Sequence, residues 1–202
     1  MLSAEARRAL SLLEGGPLAG KDIAQDGRGR PFFPARDADF SITHSGALAA
    51  VSLARGARTG CDAELVRPRT RAAEIADSFF SVSEREYIFS GRGCKHKKFY
   101  QIWTLKECFL KLKGLSVFDM AKVPSFIHEG DFAFSGAAAS PLAFYLYELG
   151  DADDCYVLAA AFEGTARERP EVKWFSHYSL PCKSIAKINA PLNPAETVRP
   201  KM

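Results

Sequence analysis

WTLKECFLKLKG, residues 103–114, is the stretch on which the reading of this chain turns. With Phe99 and Ile102 just upstream, its Leu105, Phe109 and Leu112 fall at helical spacing and predict a helix over roughly 97–113 with one face in the core. Gly114 is placed to stop it. Trp103, Glu107 and Lys111 then line up four residues apart, roughly opposite the apolar stripe. Glu107 is the only acid between Arg92 and Lys113, a window with seven Lys or Arg residues and a net charge of +6. A surface Glu–Lys pair at this spacing is worth only about 0.3–0.5 kcal/mol, and a half-buried Trp is ordinary. Each residue has a plain explanation; the lone carboxylate amid so much positive charge does not.

Upstream, TGCDAELVRP, residues 59–68, ends a strand with Asp62 and Glu64. Positions i and i+2 of a strand share a face, so the two carboxylates project together and repel unless a cation lies between them. Alone, the pair reads as a solvated strand end. Joined by Glu107, it offers three oxygen ligands of the kind Mg²⁺ prefers. Lys106, Lys111 and Lys113 could then neutralise phosphate, an assembly suited to transfer at a pyrophosphate.

FSITHSG, residues 40–46, sets His44 between the hydroxyls of Thr43 and Ser45 and before Gly46. It reads either as a hairpin turn or as an anion cradle in which the imidazole and hydroxyls hold a phosphate. GRGRP, residues 27–31, places Arg28 and Arg30 in a loop just before it. GGPLAGKD, residues 15–22, imitates a phosphate loop but fails: it is one residue short, Asp22 replaces the metal-binding hydroxyl, and it follows a helix.

The 202 residues, 47% hydrophobic and 25% charged, suit a soluble globular protein of one large or two small domains. No apolar run approaches a membrane span, and the N-terminus lacks the order of a signal peptide. Five cysteines without CxxC or metal spacing predict reduced thiols in a cytoplasm. The net charge is +3, so the chain outside the basic window sums to −3, which favours one anionic ligand over nucleic-acid coating.

Along the chain, Ser3 can cap a helix over 4–13 that ends at Gly15-Gly16. A loop runs from Gly20 to Pro34, followed by strands at 39–44, 47–54 and 57–64 with a tight turn at Ser45-Gly46. Thr70 can cap a helix to about Phe79, and Ser83 with Glu86 has capping-box spacing. Strands follow at about 123–128, 131–134, 142–149 and 155–163, the last two a long hairpin, and a short one at 172–176. Residues 179–202 read as a peripheral or mobile tail. The pattern is α+β, and ALAAVSLA (47–54) and YVLAAAFE (156–163) hint at internal duplication.

Taken in order, GRP, SITHSG, the DAE of TGCDAE, FFSVSE and WTLKECFLK resemble the 4′-phosphopantetheinyl transferases of the larger, surfactin-synthetase-activating type. The pairing of DxE with WxxKExxxK is the most specific part. The resemblance implies a pseudo-dimer of two similar halves, residues 1–66 and 67–178, with the first shortened at its N-terminus against the family pattern. It implies Mg²⁺-dependent (or Mn²⁺-dependent) transfer of the phosphopantetheine arm of coenzyme A to a serine of an acyl or peptidyl carrier protein, a holo-carrier synthase reaction. Asp62, Glu64 and Glu107 match the metal-binding acids, Glu107 also the base, and Lys111 the lysine at the leaving phosphate. Arg30, Thr43, His44, Ser45 and Lys106 match cofactor contacts. The expected protein is a cytoplasmic monomer that binds neither nucleic acid nor membrane. The alternative is a coenzyme A-binding module that has lost catalysis.

Overall fold

The computed structural model describes residues 4–19, 22–136, 140–150, 154–163 and, for the backbone, 182–189. The expected strand at 172–176 and the cap at Ser3 lie outside these residues.

Helix α1 (Ala4–Glu14) buries Ala6 and Leu10 and ends where Gly15 takes a positive φ of 83°. Two short strands, β1 (Ala24–Gln25) and β2 (Pro31–Phe32), pair within the following loop. Strands β3 (Ala38–Ser45) and β4 (Leu48–Arg55) form an antiparallel hairpin turned at Gly46, φ 55°. A glycine at the first turn position fits a two-residue hairpin link. One face of this hairpin receives α1: Leu10, Leu18, Phe33 and Phe40 form a small core there, with the Phe33 and Phe40 rings 4.5 Å apart.

Strand β5 (Arg58–Leu65) does not continue the hairpin's backbone ladder. It pairs antiparallel with β9 (Cys155–Glu163), which pairs with β8 (Leu142–Gly150), and β10 (Cys182–Asn189) completes the sheet in the order β10-β8-β9-β5. The segment expected as a peripheral tail therefore supplies an edge strand of the main sheet. Its CKSIAKIN carries β-branched Ile185 and Ile188 among polar residues, a composition that suits a strand inside a Pro-, Lys- and Asn-rich segment.

The other edge of β5 is closed in an unusual way. Alternate side chains of β3 accept its outward amides: Thr59 N donates to Asp39 Oδ2 (2.9 Å), Cys61 N to Ser41 Oγ (3.1 Å), Ala63 N to Thr43 Oγ1 (3.1 Å) and Leu65 N to Ser45 Oγ (2.9 Å). A ladder of four side chains thus replaces the backbone ladder and satisfies a strand edge that would otherwise carry bare donors.

Helix α2 (Ala72–Phe79) has no side-chain cap, so Thr70 does not serve as one. Helix α3 (Val82–Phe89) is capped by a capping box from Ser81 and Glu84, two residues before the expected Ser83 and Glu86. Glu84 wins because its carboxylate is fully buried, accepting from Ser81 N, Phe126 N and Lys106 Nζ. Helix α4 (Lys95–Lys113) ends at Gly114 in the left-handed conformation, φ 66°. It is buried on nearly every side, Trp103 included, so the single apolar stripe expected for it is too narrow.

A 3₁₀ turn (Val117–Lys122) and a short pair, β6 (Ile127–His128) and β7 (Asp131–Phe132), return the chain to β8. The main core lies between α4 and the β5–β9–β8 face, where Phe126, Phe134 and Phe144 pack with centroids 4.9–5.1 Å apart. Mixed helices and antiparallel sheets make the fold α+β. Cys61, Cys94, Cys108 and Cys155 are free thiols. Among the described residues no helix is long and apolar enough to cross a membrane.

Candidate active site

The site forms where α4 crosses β5, and small residues permit the crossing. Gly60, Asp62 and Glu64 stand opposite Ala161, Ala159 and Val157 in the ladder, so these six share the face toward α4. A Cβ on Gly60 would lie 2.4 Å from Cys108 O and 2.7 Å from Leu112 N, both backbone atoms of α4. The helix thus rests directly on the strand, one turn of it on either side of Gly60, and the carboxylates of β5 meet the Glu107 and Lys111 side of α4.

Asp62 is the centre of the arrangement. Its side chain is 8% exposed, and Oδ1 accepts from Lys111 Nζ at 2.7 Å and Thr43 Oγ1 at 3.1 Å. Its other oxygen, Oδ2, is buried with no hydrogen-bond partner among the described residues, a costly state for a carboxylate oxygen. Glu64, half-buried, accepts from Ser45 Oγ at 3.2 Å, and the Trp103 indole also favours its charged form. Trp103 itself stacks on Phe99 at 6.1 Å, with the Arg69 guanidinium 5.2 Å over its ring. The tryptophan on the predicted line therefore supports Glu64 from below.

All three acids are harder to ionise than usual. Burial raises the pKa of Glu107, with the Asp62 charge adding to it and Lys111 opposing. Burial and the neighbouring Asp62 charge raise Glu64. Burial also raises Asp62, partly offset by Lys111. Burial disfavours the Lys111 charge too, but Asp62 outweighs it and the lysine is held more firmly protonated. One contact acts unequally on its two partners because the aspartate is more deeply enclosed than the lysine, 8% against 32% exposed. A cluster in which the Asp62 charge raises both glutamates and Glu64 also raises Glu107, with an orphaned oxygen on Asp62 itself, has the chemistry of a cation site. Among the described residues, no three His, Cys, Asp or Glu side chains are already arranged to hold an ion; the Lys111 ammonium lies on Asp62 instead.

Several expected contacts fall elsewhere. Lys106 does not reach the cluster: it is 1% exposed and donates to Glu84 Oε2 and Val123 O, both at 3.1 Å. It precedes Glu107 by one residue, and about 100° of helical turn carries it to the α3 side. Arg30 spends its fork on protein oxygens: Asp39 Oδ2 at 2.6 Å, Lys111 O at 3.0 Å and Thr59 O at 3.1 Å. With Arg28, which donates to Gly114 O at 2.6 Å, it satisfies the free carbonyls at the end of α4. The FSITHSG cradle splits, because Thr43 and Ser45 face β5 while His44 points to the opposite side of β3 and is exposed. A cavity of about 410 Å³ opens beside the site, lined by Arg28, Arg30, Ser41, Ile42, Lys111 and Leu115 among others.

Two contributors were legible but unread in the sequence. A glycine inside a strand, Gly60, signals close backbone approach. Hydroxyls or carboxylates at every second position, Asp39 to Ser45, signal a strand face whose partner is polar.

The chain is similar to known proteins across this region. The model of the 4′-phosphopantetheinyl transferase superfamily matches residues 58–161, which run from β5 to β9 and hold all three acids and Lys111. A 4′-phosphopantetheinyl transferase AcpT of Salmonella typhi is 33% identical over 100 residues, 48% of this chain and 52% of that protein. The 4′-phosphopantetheinyl transferase HetI of Nostoc is 30% identical over 144 residues, 69% of this chain and 59% of that protein. One from Bacillus subtilis is 37% identical over 97 residues, 44% of this chain and 40% of that protein. The chain spans about half the length of the curated relatives it matches.

Proposed function

We infer that this chain, which belongs to the 4′-phosphopantetheinyl transferase superfamily, transfers the phosphopantetheine arm of coenzyme A to a serine hydroxyl of an acyl or peptidyl carrier protein. The nucleotide leaves as adenosine 3′,5′-bisphosphate. The observation that carries this reading is the meeting of Asp62, Glu64, Glu107 and Lys111 where α4 rests on β5.

In this reading Glu107 takes the serine proton. Burial and the Asp62 charge raise its pKa, which strengthens it as a base. Lys111, held protonated by Asp62, stabilises charge on the departing phosphate. The cavity lined by Arg28, Arg30 and Lys111 takes the nucleotide end, and exposed His44 is free to meet a phosphate from the other side of β3. Lys106 has no part in it.

The donor set suits a hard divalent ion, Mg²⁺ or Mn²⁺, because the Asp62 charge raises both glutamates and Asp62 Oδ2 lacks a partner among the described residues. Asp62, Glu64 and Glu107 would hold it, and when bound it neutralises the diphosphate and removes the repulsion among the acids. This requires Glu107 to turn toward the free oxygens of Asp62 and Glu64, and Lys111 to release Asp62 toward phosphate. The same reading treats residues 1–66 and 67–178 as related lobes of a cytoplasmic monomer.

The test is the intact mass of an apo carrier protein after incubation with the enzyme, coenzyme A and Mg²⁺. A gain of one phosphopantetheine supports the reading. Unchanged mass across several carriers, with folded enzyme, overturns it.

A further inference from the structure

Thr43 and Ser45 match family positions that touch the cofactor, yet both hydroxyls face the acids of β5. Thr43 Oγ1 accepts from Ala63 N and donates to Asp62 Oδ1, each at 3.1 Å. Ser45 Oγ accepts from Leu65 N at 2.9 Å and donates to Glu64 Oε2 at 3.2 Å. The two units are the same: a hydroxyl on β3 takes a backbone amide from β5 and gives its own proton to the carboxylate one residue earlier. A hydroxyl has a single proton to give. Once its lone pair is committed to the amide, that proton is aimed at one carboxylate oxygen.

The consequence is plainest at Asp62. Oδ1 holds both Thr43 and Lys111, while Oδ2 is buried and bare. Rotation of the carboxylate would break the Thr43 bond and bring the occupied oxygen round. The ladder upstream, Ser41 and Asp39, accepts amides in the same way but meets no carboxylate on β5, where the preceding residues are Gly60 and Arg58. Only at the two acids does the side-chain ladder acquire this second role.

We propose that Thr43 and Ser45 are positioning residues for the acids, each fixing one carboxylate oxygen so that the other is presented to a divalent cation, rather than contacts for the nucleotide. This rests on the cation site assigned above. Hydrogen-bonded partners that orient metal ligands typically contribute 10–100-fold to metal affinity.

The experiment is Mn²⁺ binding by electron paramagnetic resonance on the full chain, without carrier protein, alongside calorimetric coenzyme A binding in metal-free buffer. Thr43→Val keeps the side-chain shape and removes the hydroxyl; Thr43→Ser restores it, and Ser45→Ala tests the second unit. The expected result is Mn²⁺ affinity lowered about 10–100-fold in Thr43→Val and Ser45→Ala, recovery in Thr43→Ser, and coenzyme A affinity unchanged. Circular dichroism establishes that each variant is folded; if Thr43→Val is not, Ser45→Ala and Thr43→Ser decide. Unchanged Mn²⁺ affinity, or weakened coenzyme A with Mn²⁺ intact, overturns this proposal alone. If the unaltered protein binds no Mn²⁺, the cation site falls and the positioning role with it.

Discussion

Gly60→Ala is the substitution through which the site and the fold can be tested together. An added Cβ would stand 2.4 Å from Cys108 O, 2.7 Å from Leu112 N and 3.0 Å from Leu112 Cα. All three are backbone atoms, so no side-chain rotation relieves the overlap. Restoring an ordinary contact of about 3.4 Å requires α4 to retreat from β5 by roughly 1 Å, and overpacking of this kind costs about 1–3 kcal/mol. For a chain of this length that corresponds to a fall in melting temperature of roughly 3–10 °C. The same retreat stretches the Lys111–Asp62 contact from 2.7 Å and draws Glu107 from the β5 acids. A misplacement of about 1 Å in a catalytic group can cost about 10²-fold in rate. The assay is urea unfolding monitored by circular dichroism, paired with the initial rate of carrier modification. Gly27→Ala is the control, since no described residue lies within 4 Å of its added Cβ. A Gly60→Ala protein as stable and as active as the Gly27→Ala one would refute the reasoning that α4 lies on bare backbone.

Other expectations concern the charges. Asp62, Glu64 and Glu107 have raised pKa values in the fold, from ordinary values of 3.8, 4.5 and 4.5. The folded state therefore binds protons more tightly than the unfolded one, and the stability these groups contribute is full below the ordinary values and lost as pH rises through the raised ones. Glu107→Gln should accordingly gain stability relative to the unaltered protein as pH rises through that window, read from urea midpoints at successive pH values, and should lose carrier modification. Lys106→Met leaves Glu84 buried without its cation and should cost about 3–5 kcal/mol, whereas replacing both by apolar residues of similar volume should recover much of the loss; chemical denaturation of Lys106→Met and of the double variant checks this. Cys61→Ala should change neither transfer nor metal dependence, because its thiol faces Ser41 O at 3.2 Å on the side of β5 away from α4; a steady-state rate and a Mg²⁺ titration decide.

What the sequence made legible was whatever depended on local period and spacing. The strands at 39–64, the hairpin at 142–163 and the helix ending at Gly114 follow from alternation, turn chemistry and a left-handed stop. That Asp62 shares a face with Glu64, and Glu107 a line with Lys111, was readable from an i,i+2 pair and an i,i+4 pair; that the two pairs meet was implied only by the family resemblance. Tertiary contact decided the rest. Lys106 looks like every other lysine of its basic window until Glu84 is found buried beside it. Ser81 and Ser83 both offer caps at the right spacing; the burial of Glu84 against Phe126 N selects the first. Thr43 and His44 are neighbours in sequence, yet the pleat sends them to opposite faces, so a motif read as one cradle serves two surroundings. Arg30, matched by resemblance to a cofactor contact, also binds the carbonyls at the end of α4, a tie between segments distant in sequence that no local pattern announces.

The most direct measurement is a crystal of the chain grown with coenzyme A and Mn²⁺, with the anomalous signal used to locate the ion. The account predicts one peak within bonding distance of Asp62, Glu107 and the cofactor's diphosphate, with Glu64 at its side. A cofactor seated in the cleft whose metal peak lies away from Asp62 and Glu107 would contradict it.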